Sequence, residues 1–235
     1  MEAVTAASGA RRDEIQQGLA EVRAAVQRCQ KSDARLVAVS KYKPAADILA
    51  AYEAGQRHFG ENYVQELCDK AAQLPTDIQW HFIGRLQSNK CKALAAIPNL
   101  WAVETVESAD KAQRLGSAWH AAGHARPLGV FLQVNTSGEE NKGGVPAAEA
   151  AAVAREIVDS CPGLCLRGLM TIGSVDGSEQ RPNPDFVALA RLRDEIGRAT
   201  GAELELSMGM SGDFEHALEL GATNVRVGSS VFGAR

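Results

Sequence analysis

Apolar positions recur along this chain in two rhythms, and their alternation predicts its architecture. The first is helical. Ile15, Leu19, Val22, Val26 and Cys29 are spaced by four and three residues, one stripe of an amphipathic helix. From Leu36 onward, short apolar runs alternate with longer alanine-rich stretches. The runs at 36–40, 57–60, 80–84, 100–106, 128–135, 164–171, 204–208 and 224–228 read as strands. The stretches at 45–54, 108–122, 147–160 and 184–200 carry helical spacing, with Pro44, Gly55, Gly123, Pro146, Gly201 and Gly221 among the residues marking the joins.

Strands alternating with helices imply a parallel sheet covered by helices on its outer face. Eight such repeats predict an α/β chain folded as a single (β/α)8 TIM barrel with an extra N-terminal helix. The alternative, an open doubly wound sheet, lacks the G-x-G-x-x-G that would follow an early strand. Residues 1–10 read as a flexible tail, 11–235 as one domain, and 136–144 as the longest polar loop.

Composition narrows the function classes. The 25 Lys+Arg and 29 Asp+Glu are mixed along the chain and sum to a net charge of −4, so no basic footprint for nucleic acid or a membrane surface is expected. No stretch is long and apolar enough to predict a membrane span, and the start lacks a secretory signal pattern. The five cysteines are odd in number and form no C-x-x-C, which suits a reduced, cytoplasmic protein, or one in an organelle, with no metal site.

A barrel carries its working groups at the C-terminal ends of its strands. Those ends read Lys41, Glu61–Asn62, Gly84–Arg85, Glu104–Thr105, Asn135, Thr171, Ser207–Ser211 and 228–230, a polar and glycine-rich set. Alternation places Lys41 on the face of Val37 and Val39. Two readings stay open for it. A lysine there suits Schiff-base chemistry, in which only the neutral amine attacks a carbonyl; it also suits a side chain snorkelling out of the strand end. In the last strand Val225 and Val227 share one face, leaving Asn224, Arg226 and Gly228 for the interior. Arg226 needs an acceptor there, either a ligand's carboxylate, phosphate or ring nitrogen, or an inward Glu203 or Glu205.

The loops after the last two strands often bind phosphate in barrels. Here they contain Ser207, Gly209, Ser211, Gly228, Ser229 and Ser230, whose glycines and hydroxyls admit an anion closely. Helix capping is the competing role for Ser211, and for Asn62 with Gln65. His58 and His81 read as core residues, His120 and His124 as surface ones.

Taken together, the segments L36-V-A-V-S-K-Y-K-P44, F59-G-E-N-Y-V-Q-E66, W80-H-F-I-G84, V134-N-T-S-G-E139, G168-L-M-T-I-G173, S207-M-G-M-S211 and V225-R-V-G228 closely resemble the pyridoxal phosphate homeostasis proteins. That family's barrel is similar to the N-terminal domain of alanine racemase. The resemblance implies pyridoxal phosphate as the cofactor, bound as a Schiff base on Lys41. It implies phosphate contacts near Ser207, Ser211, Gly228 and Ser229, Arg226 toward the pyridine nitrogen, and Asn62 in the same pocket. It further implies a vitamin B6 carrier or buffer without significant turnover, with no catalytic residue, and with apo-enzymes that need the cofactor as possible partners. A weak amino-acid racemase and a Schiff-base aldolase are the enzyme alternatives. Tyr42, Arg85 and Ser230 depart from the family's usual Thr, His and Thr, and the chain stops at Arg235, before the short tail that relatives often show.

Overall fold

The computed structural model describes residues 5–139 and 142–234. Eight parallel strands form the sheet: β1 (Arg35–Val39), β2 (His58–Glu61), β3 (Gln79–Phe82), β4 (Leu100–Val106), β5 (Leu128–Asn135), β6 (Leu164–Met170), β7 (Glu205–Ser207) and β8 (Asn224–Val227). Each pairs with its neighbours in sequence order, and β8 returns to pair with β1 through Val37 opposite Arg226. The sheet is therefore closed, and no barrel strand is left with a free edge. A two-residue strand, Val145–Pro146, adds to the end of β5 outside the ring.

The helices pack around this ring. They are α1 (Gly9–Cys29), α2 (Ala45–Glu53), α3 (Val64–Gln73), α4 (Cys91–Ala95), α5 (Ala109–Ala121), α6 (Ala150–Ser160), α7 (Val175–Ser178), α8 (Pro184–Thr200), α9 (Phe214–Glu219) and α10 (Ser229–Phe232). The longer ones carry the sequence's own punctuation. In α8, Asn183 caps the amides of Asp185 and Phe186, Pro184 opens the helix, and Gly201 ends it at φ 72°. The short helices α4, α7 and α10 were not marked by the apolar pattern, since one turn shows no period.

The outward faces of the strands and the inward stripes of the helices share one large core, which includes Val225 and Val227. A small apolar cluster, Ala102, Phe131 and Met170, is separate from that core. The alternation expected in β8 is thus present, with Asn224 and Arg226 turned to the other side.

The N-terminal helix clasps the junction where the barrel begins and ends. Its stripe of Ile15, Leu19, Val22, Ala25 and Val26 is buried. Gly18 lets it approach α10 so closely that a Cβ would sit 2.8 Å from the Ser230 carbonyl oxygen. Arg11 then donates to Asp47 of α2 and to the Phe232 carbonyl, both at 2.7 Å. The expected tail is shorter than ten residues, because Ser8 caps α1 and helix begins at Gly9. Residues 1–4 and 235, and residues 140 and 141 of the expected polar loop, lie outside the described residues.

Candidate functional site

A cavity of about 400 Å3 opens at the C-terminal ends of the strands. Six of the seven residues expected at the site line it: Lys41, Asn62, Ser211, Arg226, Gly228 and Ser229. Val39, Ile83, Met170, Ile172 and Met210 supply an apolar wall.

Lys41 lies two residues beyond the end of β1, inside a tight turn closed by Lys43 N–H on the Ser40 carbonyl at 3.0 Å. The turn puts Tyr42 in the left-handed region at φ 63°, a conformation that costs a non-glycine residue free energy and so needs bracing. Glu66 accepts from the Tyr42 amide at 2.7 Å, and Lys70 joins the Ser40 carbonyl, Glu61 and Glu66 at 2.7–2.9 Å. Burial pushes the Glu61 carboxyl up while Lys70 pulls against it. Lys43 points its ammonium at the carbonyls of Gly233 and Ala234, at 3.2 and 3.1 Å. Lys41 has no hydrogen-bond or ion-pair partner among the described residues, although it lines the cavity. Of the two strand-end lysines, Lys41 is the uncommitted one.

Asn62 does not cap α3. The helix starts at Val64 with Tyr63 in the cap position and no side-chain cap bond, and Gln65 turns to Asp69 instead. The Asn62 Oδ1 is buried with no partner, a polar atom at a cavity wall that awaits one. Gly84 permits this placement: a Cβ there would lie 1.8 Å from the Asn62 carbonyl oxygen.

Ser211 is not a helix cap either; Asp213 holds that position in α9, and its carboxylate accepts from the Met210 amide at 2.7 Å. The Ser211 hydroxyl instead accepts from the Gly228 amide at 3.3 Å, which joins the two loops expected to hold an anion. Gly228 passes so near β1 that a Cβ would meet the Val39 carbonyl oxygen at 3.1 Å.

Arg226 is 4% exposed and makes no ion pair with Glu203 or Glu205. Its Nη1 donates to Ser207 Oγ at 2.5 Å and its Nη2 to the Thr171 carbonyl at 2.8 Å. Burial lowers its pKa, with Glu104 and Asp213 pulling the other way. Glu205 has other partners, Arg35 at 2.5 Å and Arg167 at 3.8 Å.

Ser207 departs from the expectation. It is fully buried, absent from the cavity wall, and committed to Glu104, Asn224 and Arg226. As the last residue of β7 it shares parity with the inward Glu205, so its hydroxyl enters the barrel and not the loop. Glu104 is the residue sequence reasoning left without a role. The signal available was a carboxylate inside the apolar run of β4. Burial alone would raise its pKa, but His81, Arg226 and Ser207 together hold it down to about 2. His81 is fully buried, and burial keeps it below the usual imidazole range.

Comparison with known proteins places the chain in a family. The family described as "Alanine racemase, N-terminal domain" matches residues 13–235. The Bos taurus "Pyridoxal phosphate homeostasis protein" is 52% identical over 210 residues, covering 86% of this chain and 77% of the relative. The Schizosaccharomyces pombe protein of the same name is 50% identical, covering 85% and 84%. The chain belongs to the pyridoxal phosphate homeostasis protein family. A solved structure of the Synechococcus elongatus PipY with pyridoxal phosphate bound is 35% identical, with a TM-score of 0.79 over 93% of this chain and all of that one. Alanine racemase of Corynebacterium glutamicum, at 16% identity, shares the fold alone, with a TM-score of 0.72 over 95% of this chain and 62% of that one.

Proposed function

We propose that this chain binds pyridoxal phosphate as a Schiff base on Lys41 and buffers or carries the cofactor without significant turnover. The observation that carries the reading is a cavity-lining lysine without a partner, sharing its cavity with a buried arginine and a glycine-serine loop. When bound, the cofactor supplies an exchangeable imine carbon and a phosphate dianion that anchors it. Lys41 would hold the aldehyde carbon. Ser211, Gly228 and Ser229 would donate to the phosphate, Arg226 would approach the ring nitrogen, and Asn62 would meet a polar group of the ligand. Ser207 would act one layer behind, on Arg226. The names of the relatives and PipY's bound cofactor support the same ligand.

Two features favour carrying over catalysis. An arginine can only donate a hydrogen bond to the ring nitrogen, which keeps that nitrogen unprotonated and so weakens the electron sink that carbanion chemistry needs. Racemisation also needs an acid/base on each side of the cofactor plane. The best second candidate, Tyr63, is exposed, lines no part of the cavity and shares its hydroxyl with that of Tyr42. Release to a recipient apo-enzyme would proceed by exchange of the imine at Lys41.

The test is to incubate loaded protein with D- and L-amino acids in deuterated water, and separately with an apo-enzyme that requires the cofactor. Transfer without appreciable α-proton exchange is expected. Robust racemisation that Lys41→Ala abolishes would replace the carrier by an enzyme.

A further inference from the structure

A continuous hydrogen-bond chain, half-buried at His58 and buried beyond it, runs along the barrel interior and ends on the arginine of the cavity. His58 Nδ1 and His81 Nε2 are 2.9 Å apart, and His81 Nδ1 lies 2.5 Å from Glu104 Oε1. Glu104 Oε2 accepts from Ser207 Oγ at 2.5 Å, and Asn224 Nδ2 lies 3.2 Å from both carboxylate oxygens. Ser207 Oγ in turn accepts from Asn224 Nδ2 at 3.0 Å and from Arg226 Nη1 at 2.5 Å.

The donors and acceptors of this chain can be assigned in one consistent way. Arg226 and Asn224 can only donate to Ser207, so the single hydroxyl proton goes to Glu104. Glu104 receives that proton's hydrogen bond, the Asn224 amide and the His81 N–H, which is the pattern of an ionised carboxylate. His81 must then accept at Nε2, from an N–H on His58 Nδ1. Neither imidazole needs a charge, and both are held below the usual range, His58 to about 3. The anion at the centre is therefore balanced by Arg226, whose charge acts on it directly.

We infer that Glu104 is a positioning residue for the cofactor: through Ser207 it aims the Arg226 guanidinium into the cavity and cancels much of its charge as felt there. The inference rests on the cofactor reading above and adds to it a residue that does not line the cavity. Three side chains from three strands, β4, β7 and β8, share the task. Arg226 alone in a low-dielectric interior would present a full positive field to a bound cofactor; paired with Glu104 through one hydroxyl, it presents a directed donor with a reduced net field. Other charged groups near the chain are spoken for. Arg35 and Arg167 meet Glu205 beside His58, and the Asp213 carboxylate accepts from the Met210 amide.

The experiment loads wild type, Glu104→Gln and Ser207→Ala with pyridoxal phosphate and follows the visible band of the bound cofactor against pH, together with its rate of loss on dilution. Glu104→Gln keeps the volume but removes the anion, which leaves Arg226 uncompensated. The added positive field should lower the midpoint at which the Schiff base loses its proton by about one pH unit, the scale for one charge across a protein interior of effective dielectric ~20. Ser207→Ala keeps the anion but removes the bridge. It should leave the midpoint near that of wild type and speed cofactor loss about tenfold. A residue of purely structural importance would move stability without this division of effects. An unmoved midpoint in folded Glu104→Gln overturns the role of Glu104. If that variant fails to fold, Ser207→Ala decides: retention equal to wild type overturns the inference. Absence of the band in wild type would instead overturn the cofactor reading, and this inference with it.

Discussion

The two ends of the barrel use the same residue types to opposite purposes. At the N-terminal end, charge is committed. Arg35 meets Glu205 at 2.5 Å and lies 4.1 Å over the ring of Trp101, while Arg167 lies 4.3 Å over the same ring. At the C-terminal end, Lys41 has no partner among the described residues and Asn62 Oδ1 is buried without one. The exposed large apolar side chains show the same asymmetry. Among the described residues, Tyr42, Tyr63, Ile172, Val175 and Met210 all follow strand C-termini, and only Val158 lies elsewhere. Unsatisfied groups cost stability. Arg167 Nε is also buried without a hydrogen bond at the N-terminal end, but there the guanidinium faces Glu205 and Trp101, whereas Lys41 and Asn62 face the cavity.

Exchanging the lesion between the two ends tests that contrast most severely. Lys41→Ala should abolish the covalent hold on pyridoxal phosphate and leave thermal stability nearly unchanged, because no hydrogen bond or ion pair among the described residues is lost. Arg35→Ala should do the reverse. It leaves Glu205 with only the looser Arg167 pairing and takes one of two guanidinium groups off Trp101, costing about 1–3 kcal/mol, while the cofactor still attaches. Borohydride reduction with peptide mapping reads the first effect, and a melting curve reads the second. A reduced adduct recovered mainly on Lys43 would dissolve the distinction drawn between the two lysines.

A smaller effect is expected when a group at the open end is weakened without being removed. Arg226→Gln loses a charge-assisted hydrogen bond worth about 1.5–3 kcal/mol, so cofactor retention should fall roughly tenfold or more. The phosphate should matter more than the ring. Pyridoxal without phosphate should bind far more weakly to wild type, as should the phosphorylated form to Gly228→Asp. Equilibrium dialysis of both aldehydes measures this, and similar affinities would remove the anchoring role from the Ser211–Gly228–Ser229 loops.

Most of the barrel was legible because its period is local. The strand runs alternate with helical stretches, and the valines of β8 place Arg226 inside without any knowledge of its neighbours. Lys41 was legible for the same reason. What stayed hidden depends on distance across the barrel. Ser207 looked like a phosphate donor because it stands at the start of a glycine-serine loop, yet its strand parity turns it toward Glu104, 103 residues away in sequence. The cap readings of Asn62 and Ser211 failed differently. Each is a good capping residue, and in each case the helix began one or more residues later than local preference suggests.

The N-terminal end also carries a pH dependence of its own. Burial, with His81 beside it, holds His58 down to about 3 from an ordinary value of 6.5. The unfolded chain binds this proton first as pH falls, so protonation favours unfolding. His58 therefore contributes stability in full above pH 6.5, and that contribution is lost progressively as pH falls from 6.5 toward about 3. The melting temperature of wild type should decline over this window, and His58→Asn should flatten the decline. An unchanged slope would show that the proton is taken up elsewhere.

The smallest expected effect sits at the rim. Tyr42 and Tyr63 pack with ring centroids 5.2 Å apart and share a hydrogen bond between their hydroxyls. Both rings are exposed, and Tyr42→Phe keeps the ring while removing the hydroxyl shared with Tyr63, so stability should change by no more than about 0.5 kcal/mol. The variant is informative because of what it frees. If Tyr63 were an acid/base restrained by its neighbour, releasing its hydroxyl would raise α-proton exchange of added amino acids in deuterated water. Tyr63 lines no part of the cavity, so exchange should stay at the wild-type level. A marked rise in Tyr42→Phe that Tyr63→Phe reverses would make the rim part of a catalytic site, and the open end would then be built for turnover as well as for holding.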